Sequence, residues 1–236
     1  KLAALGELTA GVAHEINNPT AVMLGNLDII IAEMGPALEP VEDEIDLVIE
    51  QIYRIKEITN NLLQYAKPDS YAGYMTETDV NNVVKDTLKL VRHLRSHSHY
   101  RIELQTEASL PVVINPQELQ QVLVNLIGNA IQALPDSNGL IHIITKDQQD
   151  SVQIIIQDNG HGMDSDSANK VFNPFYTTKD QGEGTGLGLS ISYSLIRRYG
   201  GDINVESSLG SGTSFTVTLL CNPVMIEGEK TIKKQL

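Results

Sequence analysis

Cysteine, basic residues and long apolar runs are scarce in the sequence, and each scarcity argues against a class of protein. Only one of its 236 residues is cysteine, Cys221, so the chain cannot form an internal disulfide. Lysine and arginine total 17 against 30 aspartates and glutamates, which gives a net charge of −13. Because nucleic-acid phosphates select basic surfaces, this acidic balance argues against DNA or RNA as a partner.

Long apolar runs are also missing. No stretch approaches the roughly 18 to 20 uninterrupted apolar residues that a membrane helix needs, and no basic-then-apolar leader stands at the start. Residues 1–5 already follow a helical pattern and no methionine precedes them, so we expect a fragment of a longer protein. We expect this fragment to be cytoplasmic and without membrane contact, while a sensor or a membrane anchor could lie upstream of it.

The amino-terminal part carries two apolar stripes. Apolar residues recur at three- and four-residue steps over residues 2–34 and again over residues 41–65, as on one face of a helix. Gly35-Pro36 ends the first stripe and Pro68 ends the second, which predicts an antiparallel helical hairpin over residues 1–68. Such a hairpin buries little alone. It either packs on the rest of the chain or pairs with a second copy as a four-helix bundle, and we favour this homodimer.

Mixed elements are predicted over residues 75–222, after a linker at residues 69–74 and before a tail, residues 223–236, that we expect to be loose. The predicted elements are a helix capped by Asp79, strands at 101–106 and 111–114, a helix from Asn115-Pro116 to Ala133, strands at 140–146 and 152–157, a helix near 187–199, and a hairpin of 202–206 with 213–220. This order gives an α/β sandwich with helices on one face of the sheet. The whole chain is therefore of the α+β class.

Three glycine-rich segments stand in the second part, at residues 158–163, 182–188 and 210–213. Glycine lets a backbone come close to a ligand, and a glycine-rich turn before a helix offers N–H groups to phosphate. The segments fit neither the P-loop spacing nor the strand–GxGxxG–helix opening of a dinucleotide fold. An ordinary turn explains any one of them, but three in order indicate a nucleotide pocket.

The helix that ends at Ala133 carries a pair of asparagines. Asn125 and Asn129 are four residues apart, so both amides leave the same face of the helix, among apolar neighbours. Buried amides need partners, and hydrogen bonds to nearby backbone are one possibility. For a pair opposite glycine loops we favour oxygen ligation of Mg²⁺ and its phosphates.

These motifs occur together in one protein family. The set resembles the N, G1, F, G2 and G3 boxes of the sensor histidine kinases of two-component systems, whose catalytic domain has the Bergerat ATP fold, and the early helix resembles their phosphoacceptor helix. The matching segments are Asn125-Leu-Ile-Gly-Asn129, Asp158-Asn-Gly-His-Gly162, Phe172-Asn-Pro-Phe175, Gly182-Glu-Gly-Thr-Gly186-Leu-Gly188 and Gly210-Ser-Gly-Thr213.

The resemblance implies ATP and Mg²⁺ as ligands. It assigns the metal to Asn129, the neighbourhood of the phosphates to Asn125, and the adenine amino group to Asp158. The other implied nucleotide contacts are Gly160, Gly162, Phe172, Phe175, Lys179, Gly182, Gly184, Thr185, Gly186, Leu187, Gly188 and Thr213, and residues 172–188 would form a mobile lid. Related Bergerat ATPases carry a water-activating glutamate at the position of Asn125, so hydrolysis is expected to be slow here.

A nucleophile is available in the first helix. The neutral imidazole of His14 is a competent nucleophile near neutral pH, and Glu15 could accept its proton or orient its ring. By resemblance this is the H box, with His14 as phosphoacceptor and Asn18 as the residue that positions water for dephosphorylation. The predicted function is autophosphorylation on His14, then transfer to an aspartate of a response-regulator receiver domain, with phosphatase activity toward that regulator.

Two other functions compete with this one. The first is a dimeric nucleotide-binding module without kinase chemistry, against which His14, Asn129 and Asp158 all count. The second is a Bergerat ATPase of the chaperone or mismatch-repair kind, which Asn125 disfavours. The residues leave open the signal, the regulator served, the ribose and α-phosphate contacts, and whether phosphorylation runs within one chain or across the dimer.

Overall fold

The computed structural model describes residues 2–41, 43–49, 51–52, 55, 59, 74–91, 100–179, 185–223, 226–227 and 230–231. The chain divides into two compact units, Lys1–Tyr71 and Ala72–Leu236. We name them the helical unit and the sheet unit. The domain limits given above remain predictions.

The helical unit begins with one long helix. This helix, α1, spans Leu2–Met34 and ends where Gly35-Pro36 predicted. A 3₁₀ helix follows at Gly35–Val41, which the sequence reading missed; it contains two prolines without an N–H group to donate, so a regular α-helical ladder cannot continue there. Residues 43–49, 51, 52, 55 and 59 are again helical. The predicted end at Pro68 lies outside the described residues.

Apolar side chains of the helical unit are largely exposed in the single chain. Val22 is 63% exposed and Leu47 56% exposed, and several positions of the predicted stripes are open as well. The exposed stripe positions are Met23, Ile30, Met34, Val41, Val48 and Ile55. Nowhere in the described part of the chain is a helix both long and apolar enough to cross a membrane.

The sheet unit alternates strands and helices. Its helices are α2 (Val80–Val91), α3 (Pro116–Ala133), α4 (Ser165–Lys170) and α5 (Gly188–Arg198). Its strands are β1 (Thr76–Thr78), β2 (Tyr100–Thr106), β3 (Val112–Ile114), β4 (Gly139–Gln148), β5 (Ser151–Asp158), β6 (Asp202–Ser208), β7 (Gly212–Leu220), β8 (Ile226–Glu227) and β9 (Lys230–Thr231).

The main sheet has five strands in the order β2-β4-β5-β7-β6. β2 runs parallel to β4, and the other neighbours are antiparallel. The register aligns Ile143 with Ile156, and Ile156 with Phe215. β1 pairs with β3 in a separate two-stranded sheet, and β8 pairs with β9. This arrangement brings the carboxyl end of β5 beside the start of β7.

One face of the main sheet is covered by helices. Burial alternates along β4, β5 and β7, as expected for strands with one buried face. α3 packs on this face, and its Leu119, Leu123, Leu126 and Ile127 are fully buried. α2 packs against α3. The predicted α/β sandwich is confirmed.

The sequence prediction of the sheet unit is confirmed for most elements. Asn115 caps α3 by accepting from the backbone N–H groups of residues 117 and 118, with Pro116 at the first helical position. Asp79 caps α2 through Asn81, 2.8 Å away. The sequence prediction missed four short elements, β1, α4, β8 and β9, of which the last two lie in the tail that was expected to be loose. All four have too few residues to show a period, and α4 is marked only by its cap, Asp164.

Candidate functional site

Two amides meet on the exposed side of α3. The Nδ2 of Asn125 donates to the Oγ of Ser192 on α5 at 2.9 Å. The Nδ2 of Asn129 lies 3.5 Å from the Oδ1 of Asn125. Both asparagines are half-buried, whereas Ser192 is buried. The two side chains therefore share one face of α3, as their spacing predicts.

The amino end of α5 lies against this pair. A Cβ added to Gly188 would stand 2.5 Å from Asn125 Oδ1, so a side chain at this position would displace the Asn125 amide. No side chain caps α5 at Leu187, while the Leu187 N–H donates to Thr185 Oγ1 at 3.3 Å. A helix amino end carries a partial positive charge and N–H groups that suit phosphate.

Asp158 lies at the carboxyl end of β5 and is 5% exposed. Its Oδ1 accepts from the N–H groups of Gly160, at 2.8 Å, and of Thr213, at 3.2 Å. Burial raises the pKa of the Asp158 carboxyl above its ordinary value, and these two hydrogen bonds oppose that shift. Among the described residues none bonds to Oδ2, which leaves an acceptor for a ligand.

Gly162 shows why the loop after β5 needs glycine. Its φ is +64°, in the left-handed region. A Cβ there would lie 2.0 Å from the carbonyl oxygen of Ser208. The loop can pass close to the turn between β6 and β7 only without a side chain at this position.

A hydroxyl pair lies beside Asp158. Ser207 Oγ is 2.9 Å from Thr213 Oγ1 and also accepts from the N–H of Met163 at 2.8 Å. Thr213 was predicted as a site residue, but Ser207 was missed. Ser207 faces Thr213 through the β6–β7 register, and the sequence carried no signal of that pairing.

The segment that follows α4 begins with a packed phenylalanine, Phe172, and continues through an exposed one, Phe175. The Phe172 ring packs against Tyr193, with centroids 5.0 Å apart, and against Phe215 at 6.3 Å. Phe175 is 62% exposed with φ +64°, and Gly186 lies against its backbone. Phe172, the first residue of the predicted lid, is therefore held in place by aromatic packing.

The middle of this segment lies partly outside the described residues, including Gly182 and Gly184. Lys179, expected to contact phosphate, has its Nζ in contact with Gln132 Oε1 near the end of α3. The sequence reading had assigned Gln132 no role. This contact joins the segment to the helix that carries the amide pair.

The remaining predicted site residues belong to the helical unit. His14, Glu15 and Asn18 lie in α1, and Glu15 and Asn18 are exposed. Thr20, directly after Pro19, is buried, and its hydroxyl donates to the carbonyls of residues 16 and 17 at 3.1 and 2.9 Å. A hydroxyl of this helix thus bonds to backbone beside the proline, where the regular helical bonding is interrupted.

The described residues contain no group of three or more histidine, cysteine, aspartate or glutamate side chains that could hold a metal ion. The amide oxygens on α3 fit the hard oxygen ligands that Mg²⁺ takes together with substrate phosphates.

The sequence matches two protein families. Residues 4–71 match the His Kinase A (phospho-acceptor) domain, and residues 114–223 match the histidine kinase-, DNA gyrase B- and HSP90-like ATPases. The fold and the site thus define the sheet unit as an ATP-binding domain of this ATPase class. The chain as a whole belongs to the sensor histidine kinases of two-component systems.

Individual relatives agree with this assignment. The signal transduction histidine-protein kinase AtoS of Escherichia coli is 37% identical over 236 residues, which are 98% of this chain and 37% of that protein. The catalytic domain of the histidine kinase ThkA is 30% identical with a TM-score of 0.57, over 63% of this chain and 97% of that structure. The chain spans less than half the length of AtoS and of several other curated relatives that match it.

A further solved structure holds ThkA in complex with the response regulator protein TrrA. The kinase chain in it is 28% identical with a TM-score of 0.63, over 94% of this chain and 63% of that one.

Proposed function

We propose that this chain binds ATP in the sheet unit, transfers the γ-phosphoryl group to His14, and passes it to an aspartate of a response-regulator receiver domain. The observation that carries the proposal is that α3 joins both parts of the site. Its amide pair lies against the amino end of α5, and its last residue, Ala133, accepts from the N–H of His161 in the loop after Asp158. Membership in the histidine kinase family supports the same chemistry.

Asp158 and its neighbours suit an adenine ring. The exocyclic amino group would donate to Asp158 Oδ2, since Oδ1 already accepts two backbone N–H groups. The hydroxyls of Ser207 and Thr213 would hold a water at the ring. Gly160 and Gly162 would let the backbone lie close to the base.

The phosphates would lie at the amino end of α5, beside residues 185–188. Mg²⁺ would be held by Asn129 Oδ1, with Asn125 next to it, and would neutralise charge on the phosphate oxygens when bound. Lys179 is a further candidate for phosphate contact. Phe175 and the residues up to Gly188, with Gly182, Gly184 and Gly186 among them, would close over the nucleotide.

The transfer itself needs one bond formed and one broken. A ring nitrogen of His14 attacks the γ-phosphorus while the bond to the β–γ bridging oxygen breaks and ADP leaves. The ring proton passes to Glu15, which lies next to it in α1 and is exposed. Asn125 is an amide and does not accept a proton from water at neutral pH, so the cleft favours transfer over hydrolysis.

Incubation with γ-labelled ATP tests this proposal. The chain is expected to acquire an acid-labile label that His14→Ala abolishes. His142→Ala, which removes a half-exposed histidine of β4, is the matched control and should keep the label. A label that persists in His14→Ala, or rapid steady release of phosphate without a label, contradicts the proposal.

We propose that the chain carries out this activity as a homodimer. The exposed apolar positions of α1 and of the helical segment after it support pairing of two helical units as a four-helix bundle. A mixed dimer of His14→Ala and Asn129→Ala chains would show whether the phosphoryl group moves within a chain or across the dimer. Label on the Asn129→Ala chain shows transfer across the dimer, and its absence shows transfer within a chain.

The receiver-domain partner and the phosphatase activity belong to the same proposal. ThkA, solved with its response regulator, supports a partner of that class for this chain. Asn18 is exposed on α1 one turn after His14, where its amide could position a water. Asn18→Ala is expected to slow dephosphorylation of the regulator and to spare the labelling of His14; equal loss of both activities would contradict this role.

A further inference from the structure

The α3–α5 contact contains a serine with no part in the chemistry set out above. Ser192 is 2% exposed in the second turn of α5. Its Oγ accepts from Asn125 Nδ2 at 2.9 Å, across the interface between the two helices. The side-chain amide of Asn125 has an oxygen on one side and a nitrogen on the other. The bond to Ser192 therefore affects which of these two atoms faces the nucleotide site.

The orientation of Asn125 sets that of Asn129. With Asn125 Nδ2 on Ser192, its Oδ1 faces Asn129 and lies 3.5 Å from Asn129 Nδ2. Once Asn129 Nδ2 is directed to Asn125, the Oδ1 of Asn129 is left as the ligand atom, and the described residues give it no hydrogen bond. The three side chains form one line, from Ser192 through Asn125 to Asn129.

Reversal of both amides gives the competing arrangement. Ser192 would then donate to Asn125 Oδ1, Asn125 Nδ2 would bond to Asn129 Oδ1, and Asn129 would present Nδ2 to the cleft. A nitrogen that carries two protons repels a cation. In the observed orientation Asn125 Oδ1 lies 2.5 Å from where a Cβ of residue 188 would stand, so the hydrogen that Gly188 carries on that side faces an oxygen.

We propose that Ser192 is a positioning residue that orients the amide of Asn125 and through it directs the Oδ1 of Asn129 toward a divalent cation. A cation at Asn129 and a hydroxyl acceptor at Ser192 select the same orientation of both amides. Mg²⁺ binding and the Ser192–Asn125 bond therefore stabilise each other. The inference rests on the nucleotide site of the proposed function but not on transfer to His14.

The test compares nucleotide affinity with and without metal. Calorimetry measures binding of a non-hydrolysable ATP analogue to the whole chain in Mg²⁺ and in EDTA. Ser192→Ala is expected to weaken binding about 3- to 10-fold in Mg²⁺ and by less than about twofold in EDTA, the size of one neutral hydrogen bond. Ser194→Ala, an exposed serine of the same helix, should match the wild type in both buffers.

A double-mutant cycle makes the test specific. Asn125→Ala breaks the line at its centre, so Ser192→Ala should cause no further loss of Mg²⁺-dependent affinity in that background. Equal weakening of Ser192→Ala in both buffers, additive effects in the cycle, or no Mg²⁺ dependence in the wild type would each overturn the inference. A chain that shows the expected binding but never labels His14 would refute the proposed function and leave this inference standing.

Discussion

The helical unit and the sheet unit differ in where they place their apolar side chains. In the sheet unit Ile143, Ile154 and Val217 are fully buried between the main sheet and its helices. In the helical unit Val22 and Ile29 are more than half exposed. Burial of apolar surface is the main favourable term in folding. We therefore expect the sheet unit to owe its stability to its own core, and the helical unit to owe much of its stability to a second chain.

The largest expected effect is a cavity in the core of the sheet unit. Leu126 is fully buried on α3, so Leu126→Ala should lower the free energy of unfolding by about 2–5 kcal/mol. Urea denaturation of the sheet-unit transition measures it. Leu209→Ala, at a side chain 68% exposed in the β6–β7 turn, is the control and should change it by less than about 0.5 kcal/mol. Equal losses would show that the core does not lie where the structure has it.

Asp158→Asn separates ligand binding from stability within the sheet unit. Asparagine keeps an oxygen to accept from Gly160 and Thr213, but it replaces Oδ2 with a donor that opposes the adenine amino group. We expect ATP affinity to fall about 10- to 100-fold, as for a lost hydrogen bond to a charged group. Asp150→Asn, at an exposed carboxylate, should bind normally.

The melting temperature of Asp158→Asn should equal or exceed that of the wild type. The pKa of Asp158 is raised by burial, so its ionised form is less favourable in the fold than in the unfolded chain. Its contribution to stability is present below the ordinary aspartate value and is lost as pH rises through the raised one. A large drop in melting temperature near neutral pH would contradict this assignment.

Ile30→Ala tests whether the helical unit depends on a second chain for its stability. Ile30 is 41% exposed on the predicted stripe of α1, and its burial against a partner chain should be lost twice in a symmetric dimer. The dimer dissociation constant is expected to rise about tenfold or more, measured by sedimentation equilibrium. Leu90→Ala, at a side chain 57% exposed on α2, should leave it unchanged. An unaltered constant in Ile30→Ala would exclude this stripe as the dimer contact.

The smallest effect concerns the far end of the α3–α5 contact. The Tyr199 hydroxyl donates to Glu118 Oε2 at 2.6 Å. Burial, this bond and the charge of Glu118 raise the pKa of Tyr199 from 10.0 to about 12. Its contribution to stability is complete below pH 10.0 and is lost as pH rises to about 12.

Tyr199→Phe should remove the alkaline loss and cost about 1 kcal/mol at neutral pH. Thermal melts over that pH range measure both quantities. Tyr74→Phe, at a side chain 96% exposed, should melt as the wild type does throughout. An unchanged alkaline profile in Tyr199→Phe would assign the loss to another group.

Sequence reasoning found the elements whose signals are local. Helix α3 combines a capping asparagine, a proline at its first position and a regular apolar stripe, and its limits were predicted to the residue. Strands β4 and β5 alternate clearly and were predicted within one or two residues. By contrast, β1 has three residues and shows its role only by pairing with β3.

The same division holds for the candidate site. Asn125, Asn129 and Asp158 stand in motifs with fixed spacing, so the sequence alone singles them out. Ser192 and Ser207 belong to the site only because a helix crossing and a strand register bring them there. Serine is common on any surface, and no spacing along the chain marks these two.

The parallel pairing of β2 with β4 limits how the cleft can open. Parallel neighbours cannot be joined by a tight hairpin, so the chain must travel back across the sheet between them. α3 lies on that return path, between β3 of the two-stranded sheet and β4 of the main sheet. The helix that bears the two asparagines is thus held between two sheets, and we expect any opening for nucleotide entry to come from the segment after Phe172.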